Sequence, residues 1–262
     1  MDTDSTKPMK TAQKNARLAL FWAILAAFGA LTVFPYLLAL NPSLAENIPF
    51  PLPVLAVVQT LQTGILLFFL CWIGLRLGQA IKLDTPFARA FVYGLKPPAI
   101  QKNVVVVALL TGAIGGLAIM VLDRLFQPFM PEPLQSTAIE VARWKGLLAS
   151  FYGGITEELL LRLFLMTLIA WGLWKVAQRS QKPPSPAIFW IASIVAAILF
   201  GVGHIPATAG IWPITFIVIV RAIALNSPLG IAFGYIYWQW GLEYAMLAHF
   251  CADIVLRTLS GS

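Results

Sequence analysis

Charge is scarce in this chain, and histidine and cysteine are scarcer still. Of 262 residues, 11% are Asp, Glu, Lys or Arg and 59% are hydrophobic, whereas soluble domains are about one quarter charged. That composition excludes an ordinary soluble enzyme with a solvated surface. Two cysteines, Cys71 and Cys251, both inside apolar runs, exclude a disulfide framework. Cys251 lies two residues after His249, on a different helix face, and reads as packing. The sequence holds no His-Glu-x-x-His, so the usual zinc-protease helix is missing. Ser150, Ser193 and Ser227 have no base at helical spacing, which argues against a serine nucleophile. There is no internal repeat and no low-complexity tract.

Long apolar runs are what the chain has instead. A helix crosses the roughly 30 Å hydrocarbon core with about 20 apolar residues. Six segments meet or approach that length, near 17–40, 53–78, 103–122, 146–176, 186–205 and 243–258. A less regular apolar region, 211–241, is interrupted by Asn226-Ser227-Pro228 and reads either as one kinked helix or as two short ones. The expected fold is therefore all-α, a polytopic transmembrane helical bundle with seven or eight membrane crossings. His204 lies late in its segment and His249 early in its own, so an even number of intervening crossings would bring them to similar depth, which favours two. The first run exceeds the 7–15 residues of a signal-peptide core and reads as a retained helix. Residues 1–15 read as a disordered cytoplasmic N-terminus, 16–142 as N-terminal membrane helices and 143–262 as the helices that hold the chemistry.

The net charge of +7 is unevenly spread. Lys7, Lys10, Lys14 and Arg17 precede or open the first run. Arg76, Lys82, Arg89, Lys96 and Lys102 separate the second from the third, and Lys175, Arg179 and Lys182 follow the fourth. The alternate connections hold only Arg124, Arg143 and Lys145, and residues 41–52 hold no Lys or Arg. This is the positive-inside pattern, with a cytoplasmic N-terminus and the cell membrane as the expected location. The basic clusters have no aromatic interleaving and no binding motif, so nucleic acid is not an expected partner. Prolines cluster between the runs, and Gly112-x-x-x-Gly116 suits close helix packing.

Against this background three charges stand out: Glu157-Glu158-x-x-x-Arg162, in the middle of an apolar run. Ionisable groups at membrane depth cost kilocalories each and normally mark function. Glu158 and Arg162 are four apart with the acid first, the favoured orientation for a helical ion pair. Glu157 points elsewhere and has no partner in its own segment. Desolvation and its acidic neighbour both suit it to take a proton from water. Gly153-Gly154, one turn earlier, thins the helix for close approach by a backbone or a substrate. The two histidines of the chain both lie in apolar segments, as Phe200-x-x-x-His204 and His249-x-x-x-Asp253. Asp253 shares a face with His249 and is placed to orient it or to act beside it.

Two chemistries fit these residues. Glu157, His204, His249 and Asp253 can bind a divalent metal such as zinc that polarises a carbonyl and activates water. Alternatively, without a metal, Glu157 is the general base, His204 holds the water, and His249 and Asp253 stabilise the oxyanion or protonate the leaving amine.

The ordered set Glu157-Glu158-x-x-x-Arg162, Phe200-x-x-x-His204 and His249-x-x-x-Asp253 resembles the CPBP family of CAAX-prenyl-protease and bacteriocin-processing intramembrane proteases, also called Abi proteins. The resemblance covers about residues 145–258; the stretch from Gly230 through Gly234 to Gly241 and Glu243 also resembles the family's approach to its last motif. It implies peptide-bond hydrolysis within the bilayer on a membrane-associated peptide or protein. In that pattern Glu157 activates water with help from His204 and His249, and Glu158 and Arg162 support the first motif. Both metal-dependent and metal-free mechanisms have been assigned to the family. Its prenyl-protease branch has Asn where this chain has Asp253. An ionised Asp cannot donate to an oxyanion, so Asp253 is expected to orient His249 or to bind a metal. Two other readings use the same residues. A proton-coupled transporter would use them as a relay, with broken helices and Arg221 at 211–228. A non-catalytic membrane scaffold would retain the architecture alone.

Overall fold

The structure is a computed structural model, and it describes residues 11–40, 49–134, 141–177 and 183–259. Its secondary structure is helical, with no strand among the described residues. Helix α1 spans Thr11–Leu40 and α2 spans Leu52–Ile81. A short α3, Pro86–Tyr93, follows, then α4 at Lys102–Phe126. Helix α5 runs without a break over Arg143–Ala177, 35 residues. Helix α6 covers Pro186–Gly203, a one-turn helix covers Ile205–Ala209, α7 covers Phe216–Trp240, and α8 covers Leu242–Leu259.

Helices α1, α2, α4, α5, α6 (with the one-turn helix) and α7 are each long and apolar enough to cross a membrane. Helix α8 packs among them and contains Glu243, Asp253 and Arg257. Large apolar side chains such as Ile24, Leu61, Phe69, Leu110, Ile114 and Val121 face outward. In water they would drive aggregation; in a bilayer they meet acyl chains. The protein is a multi-pass integral membrane protein.

Two expectations change at the termini and in the 211–241 region. Helix α1 begins at Thr11, so its first turn falls inside the segment expected to be disordered, while residues 1–10 lie outside the described residues. Asn226-Ser227-Pro228 does not split α7, which is one helix, so there are seven long helices and not eight. Pro228 forfeits one backbone hydrogen bond, the one to Ala224 O, yet the helix continues through it. Asn226 Nδ2 donates to Ala222 O at 2.7 Å, and Ser227 Oγ donates to Ala197 O at 3.1 Å, which ties α7 to α6. Arg221 pairs with Asp123 of α4 through a 2.7 Å hydrogen bond, so neither a break nor a free cation marks this region.

Helix α5 is the centre of the bundle. It touches α1, α2, α6 and α8, and Leu159, Leu163 and Met166 are completely buried against Leu75, Phe233 and Tyr237. Helices α1 and α4, from the first half of the chain, therefore share the core with the second half: Thr156 donates to Ala26 O of α1 at 3.1 Å. Gly112 and Gly116 let α4 approach the backbone of α8, where an added Cβ at Gly116 would sit 3.1 Å from Ala252 O.

Gly241 alone joins α7 to α8, at φ 107°, a conformation that favours glycine. The turn is anchored to α3, because Glu243 accepts a 2.9 Å hydrogen bond from the Ala88 amide in the first turn of α3. That anchor sets the rotation and height of α8, and through them the position of His249.

Candidate active site

Along α5 the helix widens. Tyr152–Glu157 and Leu159–Met166 form π-helical turns on either side of Glu158. Such turns are rare and concentrate at functional sites. Thr167 Oγ1 donates to the carbonyl of Arg162, five residues back, at 3.0 Å, which suits the wider turn. The widening places Glu157 and Glu158 toward the same neighbouring helices.

Glu158 is completely buried. Its Oε1 lies 2.8 Å from Arg162 Nη1, the i,i+4 pair expected from sequence, and 2.7 Å from His249 Nδ1. Arg162, 3% exposed, also donates to Gly230 O at 2.9 Å. The rings of Phe200 and Phe233 lie 5.9 and 5.4 Å from its guanidinium carbon. The cation is thus held by a carboxylate, a carbonyl and two π faces, which suits a low-dielectric site.

That network corrects the role expected for Asp253. A carboxylate paired with arginine is acceptor-only, so His249 Nδ1 donates to Glu158 and Nε2 faces away from it. Glu158, and not Asp253, orients the ring. Phe233 stacks on the imidazole at 4.9 Å and fixes its plane. Asp253 Oδ1 lies 4.0 Å from His249 Nε2, and Asp253 Oδ2 lies 3.9 Å from Arg257 Nη2.

His249 Nε2 also lies 3.7 Å from Glu157 Oε2. Both separations exceed a direct hydrogen bond, the spacing at which polar groups share a water or a reacting group. Glu157, His204, His249 and Asp253 line one cavity of about 200 Å³, together with Tyr152, Gly153, Phe200, Asn226, Gly230, Phe233 and Arg257. His204 reaches it from the end of α6, its Nδ1 2.9 Å from Phe200 O, which leaves Nε2 for the cavity.

The depth argument from sequence fails, since one crossing separates the two histidines. His249 reaches His204 because it stands near the middle of α8 rather than at its start. Gly153 serves α8 rather than a substrate: an added Cβ would collide with the Asp253 carboxylate and lie 3.2 Å from His249 Nε2. Gly153→Ala is therefore expected to displace both side chains. A misplacement of about 1 Å can lower rates about a hundredfold, so kcat/KM should fall to that extent with little change in thermal midpoint. Full activity would show that the close approach is dispensable.

Among the described residues no three His, Cys, Asp or Glu side chains are arranged to hold a metal ion. Glu157, His204, His249 and Asp253, the ligands expected from sequence, line one cavity, but His249 Nδ1 is already committed to Glu158. The residues as placed do not fit a metal centre.

Residues 140–255 match the family model described as type II CAAX prenyl endopeptidase Rce1-like. This segment is similar to that family. No curated protein and no solved structure matches the chain. The matched segment contains all of Glu157, Glu158, Arg162, His204, His249 and Asp253, and the match is to a family of endopeptidases. Tyr152, Phe233 and Arg257 are not among the residues that the sequence marks for the site, and Asn226 is marked there only as a helix breaker. Arg257 was findable, standing four residues after Asp253 on one helix face. The others had no signal, since an aromatic or amide in an apolar run reads as packing.

Proposed function

We propose that the protein is an intramembrane endopeptidase that hydrolyses peptide bonds of membrane-associated substrates, with Glu157 as the base that activates water. One observation supports this above the others. Glu157 faces the free Nε2 of His249 across 3.7 Å in a cavity, while the opposite nitrogen of that ring is held by Glu158 at 2.7 Å. A carboxylate beside an oriented imidazole in a partly dry site is suited to proton transfer.

In this mechanism Glu157 takes one proton from a water molecule, and the water oxygen bonds to the substrate carbonyl carbon. The carbonyl electron pair moves onto oxygen, and the resulting oxyanion faces Nε2 of His249, while the Nε2 lone pair of His204, whose Nδ1 donates to Phe200 O, accepts from the water. Asp253 beside His249 Nε2, and Glu158 on its Nδ1, favour the cationic ring that stabilises the oxyanion. The proton held by Glu157 passes to the amide nitrogen as the C–N bond breaks.

Cleavage of a membrane-anchored peptide by the purified protein, wild type against Glu157→Gln, tests the assignment. Activity is also expected to persist in chelator. Activity lost in chelator and restored by zinc would replace the Glu157 base with metal chemistry.

A further inference from the structure

The seven long helices alternate in direction, so their ends fall on two faces of the bundle. One face holds the start of α1, the α2–α3–α4 connection, the end of α5, the start of α6 and the Gly241 turn. The opposite face holds the end of α1, the start of α2, the end of α4, the start of α5, the end of α6, the start of α7 and the end of α8.

The cavity belongs to the second face. Ile119 comes from the last third of α4, Tyr152 from the first third of α5, His204 from the end of α6 and Leu225 from the first half of α7, while Leu256 and Arg257 come from the last turn of α8. Phe233, later in α7 than Leu225, and His249, earlier in α8 than Leu256, form its floor. Contacts across the bundle agree with this direction, since Arg257 near the end of α8 sits 4.4 Å over the ring of Tyr36 near the end of α1.

Basic residues divide between the same two faces. Of the 18 lysines and arginines, eight described ones fall at or between the helix ends of the first face (Lys14, Arg17, Arg76, Lys82, Arg89, Lys96, Lys102 and Lys175). In sequence, Lys7 and Lys10 precede α1, while Arg179 and Lys182 lie between α5 and α6. The cavity face has Arg124, Arg143, Lys145, Arg221 and Arg257. Two of these are spoken for, Arg221 by Asp123 and Arg257 by Asp253. Arg162, the last of the eighteen, is buried mid-bundle on Glu158. Lys and Arg are retained on the cytoplasmic side, so the first face is cytoplasmic.

We infer that the cavity opens to the extracytoplasmic side of the membrane, and that its substrates are membrane-anchored polypeptides whose scissile bond lies in, or just outside, the outer leaflet. The catalytic part of this statement rests on the proposed function; the sidedness does not. A lipidated C-terminus anchored in the cytoplasmic leaflet would meet the closed end of the bundle, with α3 and the basic connections between it and Glu157. Specificity for cytoplasmic prenylated CAAX ends therefore does not follow from the Rce1-like match.

The test uses the full chain in intact bacterial cells. Because α8 ends on the cavity face, a C-terminal alkaline phosphatase fusion should be active and a C-terminal green fluorescent protein fusion dark. Single cysteines placed by Ala209→Cys, in the one-turn helix after α6 on the cavity face, and Lys96→Cys, on the basic face, give a second readout in a parent with Cys71→Ala and Cys251→Ala. A membrane-impermeant maleimide should label the first about tenfold more than the second until the cells are lysed. A bright green fusion with inactive phosphatase, or the reversed labelling, would overturn the inferred side. Neither outcome touches the endopeptidase reading, which is judged separately by cleavage in detergent, where both faces are accessible.

Discussion

Glu157→Gln is expected to reduce peptide cleavage by roughly 10²–10⁴-fold, the range supplied by a positioned general base, while the protein folds as before. The substitution keeps the shape of the side chain and removes only its charge and basicity. Glu157 is one-fifth exposed to the cavity, and its Oε2 lies 3.7 Å from His249 Nε2. Nothing in the packing therefore depends on its negative charge, and removing an uncompensated acid from an apolar site does not destabilise. The measurement is kcat on a membrane-anchored peptide beside a thermal unfolding curve in detergent. Wild-type turnover in the variant would reassign the base. Lost turnover with lost folding would make Glu157 structural.

Arg162→Met is expected to be the most damaging single substitution to stability. It strands Glu158, which is fully buried and loses its only cation within its own helix. Breaking a buried pair by removing one partner costs about 3–5 kcal/mol, because the remaining charge stays desolvated. The damage extends to chemistry, since a Glu158 that protonates no longer fixes the tautomer of His249 through its 2.7 Å contact. Both the unfolding midpoint and cleavage should fall. The double variant Glu158→Leu with Arg162→Met removes both charges and should recover much of the midpoint, yet stay inactive because His249 Nδ1 then has no acceptor. A double variant less stable than Arg162→Met alone would show that the pair is not the source of the loss.

Much of the site was legible before any coordinates. Three charges in an apolar run are costly enough to demand a reason, and helical spacing alone paired Glu158 with Arg162 and left Glu157 free. The scarcity of histidine helped, because two residues in two apolar segments leave few alternatives. What the spacing could not show was the partner of each ring. The i,i+4 rule proposed Asp253 for His249, but the shortest contact comes from Glu158, 91 residues away in sequence. Local periodicity has no access to a neighbour on another helix.

The same limit explains the fold-level corrections. Pro228 signals a break when backbone bonds are counted within one segment. It does not signal that the helix runs on through Pro228, tied to α6 where Ser227 reaches Ala197. Nor does any residue pattern announce that α5 widens into π turns around Glu158.

Composition and periodicity by themselves determined that the chain crosses a membrane as helices and which ionisable groups it buries there. These are transfer energies and local geometry, and each residue contributes its share independently of distant ones. The tertiary structure decided which nitrogen of His249 is committed, that Glu158 supports the ring, and at which end of the bundle the cavity lies. Those depend on the rotation and height of α5 and α8 against one another, which the anchor of Glu243 on α3 and the glycine contacts of α4 and α5 set together.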